Sequence, residues 1–118
     1  PHNHPLWRRS LHERFGEFDT KYISASDYEF WLRCLKGGVK DFVHVPEILG
    51  IYYRNPTGVS SKPDIDMVRT HQEMEIKLNY AKHFAGPSAE EGIKDLVRRF
   101  HASGKFTQSM VEELGVSL

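Results

Sequence analysis

Gly86-Pro87 interrupts an otherwise unbroken helical pattern that runs from about residue 64 to the end of the chain, so that half must fold as more than one helix. Before the break, Met67, His71, Met74, Leu78 and Ala81 recur at alternating spacings of four and three, a narrow seam suited to one facing helix. His71 on such a seam reads as a hydrogen-bonded core histidine. After the break, Ser88 and Glu91 spell a capping box. Ala89, Ile93, Leu96, Val97 and Phe100 then line one side of the next helix, against Lys94, Asp95, Arg98 and Arg99 on the other. Gly104 ends that helix. A last short one, near residues 107–114, presents Met110, Val111 and Leu114 and is closed by Gly115.

The segment Ser61-Lys62-Pro63 divides this helical extension, residues 63–118, from residues 1–62, where the pattern is mixed. A short helix from Ser10, with Glu13 completing a capping box, leads to a turn at Phe18-Asp19. A second helix begins at Ser26-Asp27-Tyr28-Glu29 and ends at Gly37-Gly38. Two strand-like runs follow. Lys40 to Val45 alternates loosely, Pro46-Glu47 turns the chain, and Leu49, Ile51 and Tyr53 form one face of the second run with Tyr52 and Arg54 on the other. The pattern predicts an α+β, mainly helical architecture.

Asp27 heads the apolar stripe of the second helix. Counting by three and four from it gives Phe30, Trp31, Cys34 and Leu35, while Glu29, Arg33 and Lys36 fall on the other side. The exposed N–H groups and the positive end of the helix dipole favour a negative charge at the first helical position. A carboxylate held there on an inward face is placed to accept a proton from a hydroxyl, as a general base does. A bare helix cap would use the same residue type.

The surrounding residues favour the first of these. Pro5-Leu6-Trp7-Arg8-Arg9-Ser10-Leu11-His12-Glu13, then Phe15-Gly16-Glu17-Phe18-Asp19, then Ser26-Asp27-Tyr28-Glu29-Phe30-Trp31-Leu32-Arg33, then Val45-Pro46-Glu47-Ile48-Leu49-Gly50-Ile51-Tyr52 and the loop from Arg54 to Ser61 follow one another in order. In order and spacing these segments resemble the second half of a family 2 inverting glycosyltransferase of the GT-A type. In that family an acidic pair or a single Asp begins the helix and supplies the base. Here Asp27 takes that place and Ser26 stands where the acidic neighbour would be.

The resemblance implies the acceptor-side half of a GT-A, nucleotide-diphospho-sugar transferase α/β fold, acting in polysaccharide or glycoconjugate biosynthesis. The acceptor hydroxyl would attack the anomeric carbon opposite the leaving diphosphate, with Asp27 taking its proton. Arg54 and the loop through Ser60 would fold over the diphosphate, since a guanidinium fork can bond two phosphate oxygens. Trp7 and Arg8 would lie beside the nucleotide-sugar or the acceptor. The upstream sheet and the Asp-x-Asp that such enzymes use for Mg²⁺ or Mn²⁺ are not in this sequence. Asp64-Ile65-Asp66 has the spelling but reads as the charged start of a helix. The expectation is therefore a C-terminal fragment that binds no metal or nucleotide-sugar by itself and self-associates through uncovered surface. In the full-length enzyme the partners would be a nucleotide-sugar donor and a glycan or lipid-linked acceptor.

Bulk properties exclude other classes. Sixteen basic and sixteen acidic side chains cancel over 118 residues, so no strong field recruits nucleic acid or an anionic membrane. No apolar run of about 18 residues offers a transmembrane segment, and the expected setting is cytoplasmic, with a place at the inner face of a membrane left open. The lone Cys34 reads as a small core residue. His2, His4 and His12 read as a solvated N-terminal segment before a zinc site, and His44 as a sheet-edge residue. A different class remains beside the enzyme: a non-catalytic helical interaction module whose seam from Met67 to Ala81 binds a partner helix.

Overall fold

The computed structural model describes residues 5–58 and 62–118. Its elements are α1 (Ser10–Phe15), α2 (Ser26–Lys36), α3 (Pro63–Ala102) and α4 (Gln108–Glu113). The chain separates into two compact units, Pro1–Ser61 and Lys62–Leu118.

In the first unit α1 and α2 cap one another. Arg33 of α2 donates to the carbonyls of Phe15 and Glu17 at 2.7 and 3.0 Å, satisfying acceptors that the end of α1 leaves open. Arg14 of α1 donates in return to the Gly37 carbonyl at 3.2 Å, just past the end of α2. Phe30 and Cys34 are fully buried, and Tyr22 and Ala25 are nearly so. The turn before α2 is held by Asp19, whose carboxylate accepts from the Lys21 N–H at 2.9 Å.

Gly37 has a packing reason to be glycine. A Cβ added there would penetrate the Phe15 ring. Gly37→Ala should therefore displace that ring and destabilise the unit by about 1–3 kcal/mol, the usual scale of overpacking. Urea denaturation followed by tryptophan emission reads this directly, and an unchanged midpoint would refute it.

The strands expected from residues 40–45 and 49–54 are not formed; among the described residues there is no strand. Alternation permits a strand, but a strand exists only when a neighbour accepts its ladder of hydrogen bonds. Here Phe42 N–H turns back to the Lys40 carbonyl and Glu47 N–H to the Val45 carbonyl. Phe42, Val43, Val45, Ile48, Leu49, Ile51, Tyr52 and Tyr53 are all left exposed, Ile48 and Ile51 at 97% and 93%. The described residues are thus mainly helical, as expected, but the β part of the expected α+β pattern is replaced by an irregular, apolar connection. So much uncovered apolar surface favours association. Light scattering of the isolated chain at micromolar concentration should show a dimer or larger assembly, and a clean monomer would contradict this.

The second unit is built by α3 folding back on itself. At Gly86 the backbone takes φ 77° and ψ −177°, a region essentially reserved for glycine, and Pro87 starts the second limb where a missing N–H costs nothing. Met74 of the first limb and Val97 of the second share a core with Phe106, Val111 and Val116, rimmed by Leu78, Ile93, Phe100, Met110 and Leu114. The seam predicted to meet another helix thus faces the chain's own second limb and α4. His71 donates to the Met110 carbonyl at 3.0 Å and lies edge-on to Phe106. His101 donates similarly to the Phe106 carbonyl at 3.1 Å. Thr107 caps α4 by accepting from the Met110 N–H. Ile76, on the opposite side of the helix from Met74, is also fully buried, and Leu96 is more open than its expected core place. Among the described residues no helix is long and apolar enough to cross a membrane.

Candidate functional site

α2 begins one residue earlier than the pattern predicts. Ala25 is its N-cap and no side chain caps it, so the Ser26–Glu29 box is not made and Asp27 is the second helical residue. Asp27 is half-buried, and its Oδ1 accepts from the Tyr28 N–H at 2.7 Å. The stripe it heads is largely as expected: Phe30 and Cys34 are buried and Trp31 is half-buried, while Leu35 lies at the exposed margin. Burial pushes the Cys34 thiol up from its ordinary value, which disfavours the reactive thiolate.

Glu29 is the main departure. Expected outside, it is 7% exposed. Its two oxygens accept from Arg33 Nη2 at 2.6 Å and Nε at 3.2 Å, a bidentate pair. The box at Ser10–Glu13 is likewise replaced: α1 has no side-chain cap, and Glu13 lies 3.8 Å from Arg9. Glu91, expected to box with Ser88, bonds Arg98 at 2.9 Å.

Trp7 is half-buried and packs against the Asp27 stripe through Trp31, with ring centroids 4.9 Å apart and planes at 84°. Its indole N–H donates to His12 Nε2 at 3.0 Å. His12 is therefore part of the first unit's structure and not of a solvated tail, a role that its spacing from Trp7 did not signal. His2, His4 and Ser60 lie outside the described residues. Arg8 is exposed, and its carbonyl accepts from Leu11 at the start of α1. Arg54 is exposed directly before a closed turn in which Asn55 accepts from the Thr57 N–H and hydroxyl at 3.0 and 2.9 Å.

The structure thus joins Trp7 to the helix that carries Asp27, and leaves Arg8 and Arg54 on exposed segments of the same unit. Among the described residues no group of three or more His, Cys, Asp or Glu is arranged to hold a metal ion. No family model, curated protein or solved structure matches the chain.

Proposed function

We propose that the chain is the acceptor-side part of an inverting glycosyltransferase that uses a nucleotide-sugar, with Asp27 as general base. The supporting observation is the half-buried carboxylate at the head of α2, whose stripe leads into Trp31 and the indole of Trp7. This geometry accompanies the ordered segments on which the resemblance rests. A carboxylate at a helix start is held at a fixed point, as a general base must be, and the aromatic surface beside it offers an apolar wall to a sugar. Mg²⁺ or Mn²⁺ would neutralise the leaving diphosphate in the complete enzyme.

The test is transfer by the full-length enzyme from a panel of nucleotide-sugars, with the anomeric configuration of the product read by NMR. Inversion is expected; retention, or no transfer from any donor, would overturn the proposal.

Arg54 and the turn after it would bond the departing diphosphate. Arg54→Ala should then weaken nucleoside diphosphate binding to the full-length enzyme by about 1.5–3 kcal/mol, the scale of a hydrogen bond to a charged group. Calorimetry on both proteins decides this, and equal affinities would return the loop to an ordinary connection.

A further inference from the structure

His12 meets its neighbours in one protonation state only. An indole N–H donates and never accepts, so His12 Nε2, 3.0 Å from Trp7 Nε1, must present its lone pair. A carbonyl oxygen accepts and never donates, so His12 Nδ1, 3.0 Å from the Gly16 oxygen, must carry the proton. The ring is therefore neutral and in its Nδ1–H tautomer. It stacks on Phe30 with centroids 4.5 Å apart and planes 16° from parallel, and meets Phe18 edge-on at 5.3 Å.

A second proton has one place to go. It would occupy Nε2, where it turns the acceptor for Trp7 into a donor facing a donor. Histidine takes that proton within about pH 5–8 in the ordinary case, so the exchange lies within reach of mild acid. Trp7 is the first described side chain that is not exposed: Pro5 and Leu6 before it are, Leu6 at 98%. The indole therefore anchors the segment that leads into α1. Apart from the bond to His12, its ring meets Trp31 and Phe18, both edge-on.

Charges around the ring act in both directions. Glu17, on the turn after α1, brings Oε2 to 3.6 Å from Nδ1 and draws a positive charge towards the ring, though its side chain is exposed. From α2, Arg33 lies 5.4 Å from the centre of the Phe30 ring on which His12 stacks, and opposes a second cation; Glu29 pairs with it, and Asp27 heads the same helix. On the element of His12 itself, Arg8, Arg9, Glu13 and Arg14 are exposed, and Arg9 lies 3.8 Å from Glu13.

We propose that His12 is a proton-operated latch on Trp7. With the ring neutral, the indole is bound and the segment before α1 is docked on the first unit; with the ring doubly protonated, the bond is lost and the segment is released. The balance is simple: one proton is taken from solvent onto Nε2 and one hydrogen bond is given up. The latch does not depend on the reaction proposed above.

The test is NMR on the ¹⁵N-labelled chain, whose two tryptophans are Trp7 and Trp31, with Trp31→Phe assigning the Trp7 indole resonance. At pH 8 the His12 ring nitrogens should show the Nδ1–H tautomer. Between pH 8 and pH 5 the Trp7 indole N–H should shift in one sigmoidal transition that coincides with the titration of His12. Glu17→Gln should move that transition to lower pH. His12→Gln offers an amide oxygen as acceptor at every pH, and the transition should vanish. His12→Phe offers none, and the Trp7 resonance should sit near its low-pH position throughout. Circular dichroism checks that each variant is folded, and if His12→Phe is not, His12→Gln against wild type decides. An Nε2–H tautomer at pH 8, a Trp7 resonance that stays still from pH 8 to pH 5, or a transition that persists in folded His12→Gln would each overturn the latch.

Discussion

With Asp27 in its proposed role of general base, Asp27→Asn in the full-length form of the proposed transferase should lower kcat by about 10²-fold or more while donor affinity persists, because a general base typically contributes about 10²–10⁴-fold. The substitution separates chemistry from architecture. Asn keeps the size of the side chain and an oxygen that can accept from the Tyr28 N–H, the bond made by Asp27 Oδ1 at 2.7 Å. The start of α2 should therefore be preserved, and with it Phe30 and Cys34 in the core. What is lost is the capacity to take up a proton. Steady-state kinetics with varied donor, together with a thermal scan to confirm folding, measure both sides. A folded variant that keeps more than about a third of wild-type kcat would remove Asp27 from the base role.

Helices were legible in this sequence wherever a local signal sufficed. Gly37 and Gly86 break the periodicity where the helices break, and Met74, Val97 and Val111 fall on the faces that the pattern selects. Capping boxes were less reliable, because a Glu near a helix start is equally able to pair with Arg four residues on. Glu29 does this with Arg33, and the pairing draws both residues inward from the face that a helical wheel assigns to solvent. The apparent strands failed for a related reason. Residues 40–45 and 49–54 have strand-like composition, but pairing is a property of two segments and no alternation in one of them reveals a partner. At the candidate site the same division holds. Asp27 and Trp31 share a stripe that counting finds. The bond from Trp7 to His12 crosses the entry to α1, where no periodicity applies, and Arg33 reaches two carbonyls more than fifteen residues away in sequence.

That reach gives Arg33 the largest structural effect expected of any single side chain in the first unit. Arg33→Ala leaves the nearly buried Glu29 carboxylate without its bidentate partner, frees the carbonyls of Phe15 and Glu17, and removes a guanidinium that lies 5.4 Å from the Phe30 ring centre. Breaking a buried ion pair from one side typically costs about 3–5 kcal/mol, a large share of the 5–15 kcal/mol that holds an ordinary domain. Because Trp7 and Trp31 both lie in the first unit, tryptophan emission in urea reports that unit alone, while far-UV circular dichroism is dominated by the long helix of the second. The emission transition should move to much lower urea, and the later part of the dichroism transition should stay near its wild-type position. Replacing the pair together, Glu29→Met with Arg33→Leu, removes the stranded charge and should recover a substantial part of the loss. An emission midpoint in Arg33→Ala within about 0.5 kcal/mol of wild type, the scale of an ordinary surface substitution, would show that the clamp between α1 and α2 is not what holds the Asp27 helix in place.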